Sequence, residues 1–306
     1  MSGDAPFDLL GVGQISLDRV GGVERFPPIG RKARLASERT LPGGQVATAL
    51  LAATRLGLRC ALAGAVGDDD AADAALAPLR RAGVDLSRVE TIRGARTRQA
   101  WVLVESTSGE RTVLEQRDPA LRLPAAGAAP AWPSARAVLV DLEHPAASQQ
   151  AAEAARSAGV PVLLDADRPS PEALELLRRV DFPIVSEGFA DEFSSDVSLE
   201  ARLAALARAA DPAVRMVVVT CGAAGSVARI GERLVRTPAP RVAAVDTTGA
   251  GDVFRGAFAW GLLRGLDPEQ VLRVANTAAA LGCRGAGAQG ALPDAAAVEA
   301  SLAGGV

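Results

Sequence analysis

The chain has 306 residues, 49% of them hydrophobic, so it can build one large α/β domain or two ordinary ones around a packed core. Its formal net charge of -3 and its scattered basic residues argue against binding to nucleic acid or to a membrane surface. No apolar run approaches the roughly 18 residues of a membrane span. The N-terminus lacks a signal-peptide layout, and the three cysteines lack C-x-x-C spacing. These features predict a soluble cytoplasmic protein without a disulfide framework or a zinc site.

Apolar segments alternate with helical segments along most of the chain. Strands and helices that alternate at this spacing are typical of a parallel sheet with helices on both faces. The sequence therefore predicts an α/β fold with a doubly wound, mostly parallel sheet. The predicted strands lie at 7–12, 59–65, 137–141, 160–165, 182–185 and 215–220, and the predicted helices at 44–56, 70–82 and 148–157.

Two segments, 16–41 and 92–121, interrupt this alternation because they lack helical periodicity. The second contains two alternating apolar and polar runs, 99–105 and 111–115, on either side of a polar turn at 106–110. Such a pattern predicts a β-hairpin.

We expect the two segments to meet in space as a small β-sheet lid at the edge of the main sheet. A lid that closes over a substrate excludes water. Exclusion of water is needed in a reaction that would otherwise lose its reactive group to hydrolysis. Exposed sheet edges invite pairing, so the lid is also predicted to support a homodimer. In this prediction the α/β domain consists of 1–15, 42–91 and 122–306, and the lid of 16–41 and 92–121.

The heptad Asp246–Asp252 (D-T-T-G-A-G-D) carries the clearest chemical signal. Two glycines flank an alanine where an amphipathic helix begins, so successive N–H groups can point at an anion beside the positive end of the helix dipole. A carboxylate on the first turn, Asp252, can accept a proton next to that anion, and phosphoryl transfer needs this pairing. The competing interpretation is that Asp252 is only a helix cap behind a glycine turn.

This heptad, the helix after it and its place near the C-terminus resemble the second signature of the ribokinase-like carbohydrate kinases, also called the phosphofructokinase-B family. Thr220–Gly225 (T-C-G-A-A-G) resembles the turn that meets ATP in that family, and Pro42–Ala49 resembles the first family signature. The resemblance covers nearly the whole chain. It implies an ATP-dependent kinase that transfers the γ-phosphate to a hydroxyl of a small carbohydrate, with Mg²⁺ bridging the β- and γ-phosphates.

The resemblance also implies roles for individual residues. Asp252 would be the catalytic base, and Gly249, Ala250 and Gly251 would supply N–H groups to the transferred phosphoryl group. The sugar site would comprise Asp18, Gly43, Gly44, Thr48 and Glu143, with Lys32 as a candidate partner for a charged substituent. The ATP site would include Ser186, Thr220, Gly222, Gly225 and Asn276, beside the loop 285–290. Glu187 would help to hold Mg²⁺, and Asp246 a monovalent cation such as K⁺.

Other interpretations stay open for two of these residues. Asp246 can simply be a turn aspartate bonded to nearby backbone. Asp18 can be a surface aspartate paired with Arg19.

Three departures from the family pattern affect the site. Thr48 stands where the family usually has a sugar-binding asparagine. The N-x-x-E motif that positions magnesium appears here as 186–189 (S-E-G-F), so Glu187 or Asp191 has to replace the missing glutamate. The aspartate-rich turn 67–70 lacks its usual following glycine and is predicted to be a helix cap.

The threonine and the form V-S-E-x-x-A resemble the branch that contains ketohexokinase and sulfofructose kinase. Glu143, however, stands where we would expect an arginine for a sulfonate, and a carboxylate there repels an anionic group. The sequence therefore favours a neutral sugar or polyol as the substrate.

Two alternative functions remain. A nucleoside kinase of the same family often stacks the base on lid aromatics, for which this chain offers mainly Trp101 and Phe26. A non-catalytic sugar or nucleotide sensor is supported by the altered N-x-x-E motif and opposed by the intact Asp252.

Overall fold

The computed structural model describes residues 6–105, 107, 111–123, 132–196 and 198–304. The strands are β1 (Phe7–Val12), β2 (Ser16–Val23), β3 (Ser37–Gly43), β4 (Cys60–Gly67), β5 (Asp85–Ile92), β6 (Gln99–Glu105), β7 (Arg111–Gln116), β8 (Ala135–Val140), β9 (Val162–Ala166), β10 (Phe182–Ser186), β11 (Val217–Thr220), β12 (Ser226–Ile230) and β13 (Arg233–Thr237). The α-helices are α1 (Gln45–Arg55), α2 (Asp70–Ala82), α3 (Pro145–Ser157), α4 (Pro171–Leu177), α5 (Glu187–Phe193), α6 (Leu199–Ala209), α7 (Ala250–Leu263), α8 (Pro268–Gly282) and α9 (Ala295–Ala303). A 3-10 turn spans Gly222–Ala224.

Within the described residues, the central sheet has nine strands in the order β13-β12-β11-β10-β9-β8-β1-β4-β5. All its neighbouring strands pair in parallel except β11 with β12 and β12 with β13, which are antiparallel. The predicted α/β fold with a mostly parallel sheet is therefore confirmed. The antiparallel edge was not predicted.

Side chains alternate between the two faces along each strand, so apolar strands present apolar side chains on both faces of this sheet. Helices cover both faces. On β1, Leu9 packs into a core with helices α1, α2, α7 and α8, whereas the next residue, Leu10, packs into a second core with α3, α4, α5 and α6. None of the helices in the described ranges combines the length and the apolar character needed to cross a membrane.

The lid is a separate sheet in the order β3-β2-β6-β7, counted over the described residues. Strands β6 and β7 form the predicted antiparallel hairpin. Of the predicted turn at 106–110, only residue 107 lies within the described residues. The hairpin joins the first insert through the parallel pair β2–β6, so the two inserts meet in one sheet as expected.

The segment predicted as the second lid insert starts within the central sheet, because Ile92 is the last residue of β5. The turn 67–70 is the predicted helix cap. Asp69 is the N-cap of α2, and its side chain accepts a hydrogen bond from the Ala72 N–H.

Candidate active site

The heptad forms the entry to helix α7. Gly249 is the N-cap in a left-handed conformation, with φ +77°, and an added Cβ would lie 2.6 Å from the Cβ of Ala288. Only glycine therefore fits this position without strain. The Ala250 N–H donates to the Thr247 carbonyl at 3.2 Å. The first-turn N–H groups of Gly251 and Asp252, which have no acceptor within a helix, are thus the donors available to an anion.

Asp246 fixes the shape of this loop. Its two carboxylate oxygens accept hydrogen bonds from the N–H groups of Thr248, at 2.9 Å, and Gly287, at 2.8 Å. Burial acts to raise the pKa of Asp246, but these hydrogen bonds outweigh it and hold the pKa below its usual value. The structure thus gives Asp246 the turn-forming role that the sequence left open, and its predicted role toward a monovalent cation stays a prediction.

Asp252 lies on the first turn of α7 and is partly buried. Burial raises the pKa of Asp252 well above its usual value, and the carboxylates of Asp165, Asp141 and Asp167 raise it further. Arg255 is the opposing charge. A carboxyl group with a raised pKa is suited to accept a proton from a hydroxyl near neutral pH.

The first family signature brings the lid strand β2 against the start of α1. An added Cβ on Gly43 would lie 2.2 Å from Asp18 Oδ2, and one on Gly44 would lie 2.5 Å from the Gln14 carbonyl oxygen. Neighbouring atoms therefore approach both backbone positions so closely that only glycine fits there. Within the described residues Asp18 Oδ1 is buried without a hydrogen-bond partner, and burial raises the pKa of this carboxyl. A buried acceptor without a donor is the kind of group that a substrate hydroxyl satisfies.

Thr48 is fully buried on α1 and contacts a residue of the loop 285–290. Its Oγ1 accepts a hydrogen bond from Gln289 Nε2 at 3.2 Å, and Gln289 Oε1 is buried with no partner in the part of the chain that the structure describes. A side-chain amide from the loop 285–290 thus contacts Thr48, the position at which the family resemblance implies an asparagine. The sequence interpretation named that loop but did not single out Gln289.

The loop 285–290 also contacts the lid, since an added Cβ on Gly287 would lie 2.5 Å from Leu41 Cδ1 on β3. A second contact links the lid to the heptad, because Arg111 Nη1 at the start of β7 donates to Thr247 Oγ1 at 2.8 Å. The lid therefore lies over the loop that precedes α7.

Glu143 is paired with arginines from the second lid insert. Its Oε2 lies 3.4 Å from Arg98 Nε and 3.6 Å from Arg117 Nη2, and its side chain is 8% exposed. Arg98, 5% exposed, also binds Glu115 at 2.7 Å. The sequence-based expectation was that Glu143 is an unpaired charge that repels an anionic substrate group. The two arginines beside Glu143 correct this expectation. Lys32 lies exposed on the loop between β2 and β3.

The T-C-G-A-A-G turn follows β11 at the carboxyl edge of the sheet, where α/β folds bind ligands. Gly222 and Gly225 have positive φ, and an added Cβ on Gly225 would lie 2.1 Å from the Thr237 carbonyl oxygen. Asn276 is buried, and its Nδ2 donates to Ser226 Oγ at 2.8 Å and to the Thr237 carbonyl at 3.2 Å. Its amide nitrogen thus ties α8 to β12 and β13 beneath the turn.

The altered N-x-x-E motif forms the start of α5. Ser186 is the N-cap and accepts a hydrogen bond from the Phe189 N–H at 3.1 Å, while the Phe189 side chain is fully buried. Glu187 is exposed. Burial raises the pKa of the Cys221 thiol to about 11, and the carboxylates of Glu187 and Asp191 raise it further. Both carboxylates therefore lie near the T-C-G-A-A-G turn, and Asp191 is the one that forms an ion pair, with Arg202.

Two buried charged residues near Asp252 were missed by the sequence interpretation. Asp165 is the next-to-last residue of the apolar strand β9, and Arg255 lies one turn after Asp252 on the apolar helix α7. A charged residue inside an otherwise apolar element was the available signal in both cases. No group of three or more His, Cys, Asp or Glu side chains in the described part of the chain could hold a metal ion.

Known proteins are similar to this chain over most of its length. Residues 7–295 match the family described as pfkB family carbohydrate kinase. The ribokinase of Bacillus subtilis (strain 168) is 30% identical over 284 residues, covering 92% of this chain and 94% of the relative. The nucleoside kinase of Methanothermobacter thermautotrophicus is 30% identical over 292 residues, covering 94% and 93%.

A solved structure is also similar to this chain in sequence and fold. Arabidopsis thaliana ribokinase complexed with ribose and ATP superposes with a TM-score of 0.80 at 27% identity, over 97% of this chain and 98% of that chain. The chain therefore belongs to the pfkB family of carbohydrate kinases and is an ATP-dependent sugar kinase of the ribokinase-like fold.

Proposed function

We propose that this kinase phosphorylates a primary hydroxyl of a small neutral sugar or polyol, with Asp252 as the general base. The observation that carries the proposal is the position of Asp252 on the first turn of α7, three residues after the left-handed Gly249. Asp252 takes the proton of the attacking hydroxyl, and the adjacent N–H groups at the helix start stabilise the charge of the transferred phosphoryl group.

The charges around the sugar pocket support a neutral substrate. Arg98 and Arg117 form ion pairs with Glu115 and Glu143, and Arg98 also acts on the nearby carboxylate of Asp18, so these three carboxylates outnumber the two arginines by one. Asp18 Oδ1 has no hydrogen-bond donor among the described residues and would accept hydrogen bonds from sugar hydroxyls, whereas an anionic substituent would be repelled. The ketohexokinase-like branch, which Thr48 and the V-S-E form suggest, accommodates such a substrate.

The orientation of the lid residues argues against a nucleoside substrate. Arg19 on β2 pairs with Trp101 on β6, and Asp18 pairs with Ala100. Successive side chains point to opposite faces of a sheet, so Trp101 lies on the face away from Asp18. Its ring contacts the Arg19 guanidinium, 5.1 Å from the ring centroid. Trp101 is therefore poorly placed to stack a base in the sugar pocket.

Magnesium enters this proposal with ATP, as part of the substrate. Mg²⁺ usually keeps several waters and is held by phosphates and one or two carboxylates. Glu187, exposed beside the T-C-G-A-A-G turn, is the residue that we assign to this role. A K⁺ ion near Asp246 and a homodimer formed through the lid also belong to the proposal. The strand that would carry the dimer is β7, which is exposed along its length.

The test is ADP release from MgATP across a panel of ketoses, aldoses, polyols, sugar acids and nucleosides. We expect turnover with a neutral sugar or polyol, and a decrease of about 10²–10⁴-fold in kcat for Asp252→Asn, the usual contribution of a general base. ATP affinity, measured by calorimetry, should change little.

Asp294→Asn is the matched control, because Asp294 also lies at a helix start, as the N-cap of α9, and asparagine caps equally well. It should leave kcat unchanged. Turnover with nucleosides alone would contradict the neutral-sugar proposal. Sugar binding without ADP formation would support the sensor interpretation.

A further inference from the structure

A buried ion pair inside the α/β domain has no role in the reaction described so far. Arg255 Nη2 lies 2.8 Å from Asp165 Oδ1, and the two side chains are 5% and 0% exposed. The Nε and Nη2 groups of Arg255 also donate to the Ile184 carbonyl at 3.3 and 3.0 Å, so the guanidinium is fixed in position. Apolar residues of similar volume often stabilise a protein as well as a buried ion pair does. Stability alone therefore does not explain this pair.

The pair lies between the two loops that form the active site. Arg255 is one helical turn after Asp252, and an added Cβ on Gly251 would lie 2.7 Å from Arg255 Nη1. Asp165 Oδ1 also accepts a hydrogen bond from Gln45 Nε2 at 3.2 Å, next to Gly44 of the sugar loop. The guanidinium therefore packs directly beneath the anion loop, and its partner carboxylate is tied to the sugar loop.

The electrostatic surroundings of Asp252 depend on this pair. The charged groups that act on the Asp252 carboxyl are the carboxylates of Asp165, Asp141 and Asp167 and the guanidinium of Arg255. Among the described residues Asp165 Oδ2 is buried without a hydrogen-bond partner, and Arg255 is the positive charge paired with this carboxylate. Arginine stays protonated throughout the working pH range, which makes it a permanent counter-charge.

We propose that Arg255 is a positioning residue that keeps the base Asp252 ionised at neutral pH by neutralising the buried Asp165. Without Arg255, Asp252 would ionise next to three carboxylates in a partly buried site. The proposal rests on the role of Asp252 as the base in the proposed function. It adds Arg255 and Asp165 to the residues on which the reaction depends.

The test is the titration of the Asp252 carboxyl in the full chain, followed by NMR of protein labelled with ¹³C at the aspartate carboxyls. It needs neither sugar nor ATP. The Asp252 resonance is identified by its loss in Asp252→Asn. An opposite or like charge at close range shifts a pKa by about 1–3 units. We expect Arg255→Met to raise the apparent pKa of Asp252 by about one unit or more, and Asp165→Asn to lower it by a similar amount.

Two further variants control for structural effects. Arg255→Lys keeps the positive charge and should leave the apparent pKa of Asp252 close to its wild-type value. Arg264→Met removes an exposed arginine of the same helix, about 18 Å along the axis from Asp252, and should leave the titration unchanged. A titration of Asp252 that is unchanged in both Arg255→Met and Asp165→Asn overturns the proposal.

If Arg255→Met does not fold because Asp165 is left buried and unpaired, Asp165→Asn decides alone. In that variant Arg255 still donates to the Ile184 carbonyl. Because the titration requires no turnover, its result is separate from the test of the base itself. A fully active Asp252→Asn would contradict the proposed function, whereas an inactive Asp252→Asn with unshifted titrations would contradict only the role of Arg255.

Discussion

At the level of single residues, Asp18 combines its proposed role in sugar binding with a cost in stability. Burial raises the pKa of this carboxyl above its value in the unfolded chain. Its ionisation at neutral pH therefore favours unfolding, and the effect disappears below about pH 4, where the carboxyl is protonated in both states. We expect Asp18→Asn to raise the melting temperature at pH 7, and the difference from the wild type to vanish as the pH falls, measured by calorimetry.

The same substitution should impair sugar use. Hydrogen bonds to charged groups contribute about 1.5–3 kcal/mol, so kcat/KM for the sugar should fall about tenfold or more. Asp68→Asn, at an exposed aspartate before α2, should change neither stability nor kinetics. An Asp18→Asn protein that is less stable than the wild type at pH 7 would show that the carboxylate is needed for the fold.

At the level of elements, Asp69 links helix α2 to the start of the second lid segment. Its carboxylate accepts hydrogen bonds from the Ala72 N–H at 3.1 Å, the Thr97 N–H at 2.9 Å and Thr97 Oγ1 at 2.6 Å. Burial opposes ionisation, but these hydrogen bonds hold the pKa of Asp69 below its usual value. We expect Asp69→Ala to lower the free energy of unfolding by about 1 kcal/mol at pH 7, as the loss of a helix cap does.

The pH dependence of this loss has a definite direction. A carboxyl with a lowered pKa stabilises the fold above its unfolded pKa of about 3.9, and the stabilisation is lost as the pH falls through the folded value. Urea unfolding of Asp69→Ala and wild type should therefore converge at low pH. Asp70→Ala, at the next residue and exposed, is the control and should show little change. Equal losses in the two variants would mean that Asp69 acts only through the helix dipole.

At the level of the whole molecule, Arg98 holds the lid to the α/β domain. It precedes β6, and its buried guanidinium lies 2.7 Å from Glu115 of the lid and 3.4 Å from Glu143 of the α/β domain. Breaking a buried ion pair leaves an unpaired charge and costs about 3 kcal/mol or more. We expect Arg98→Met to lower the free energy of unfolding by about that amount and to increase ATP hydrolysis without sugar, because the lid no longer excludes water.

Both effects are measurable, by urea unfolding and by ADP release in the absence of sugar. Arg233→Met removes an exposed ion pair with Glu269 and should cost at most about 1 kcal/mol, with no change in hydrolysis. If Arg98→Met unfolds like the wild type, the lid is held by its β-strand pairing and not by this cluster.

The sequence predicted the parts of the molecule that depend on local patterns. Helix α2 begins and ends where its cap and its closing Gly83 indicate, and the β6–β7 hairpin follows its alternating residues. Strand β5 was not predicted, and its last residue, Ile92, was assigned to the lid, because an alternating pattern does not tell which sheet a strand joins.

The long-range partners could not be predicted. Arg255 and Asp165 are 90 residues apart and meet only because α7 packs across the sheet. For the same reason Glu143 was interpreted without Arg98 and Arg117. The roles assigned to the individual site residues remain predictions that the experiments above test.

The loop 285–290 has a consequence for changing the specificity of this enzyme. Gln289 of the loop donates to Thr48 of the proposed sugar site, Gly287 donates to the Asp246 carboxylate, and Ala288 packs against Gly249. If Thr48 binds the sugar as proposed, a substitution made there to admit a different sugar also removes a contact of the loop that supports the start of α7. Selection for a new sugar would then have to act on Gln289 and its neighbours together with Thr48, since one loop supports both Thr48 and Gly249.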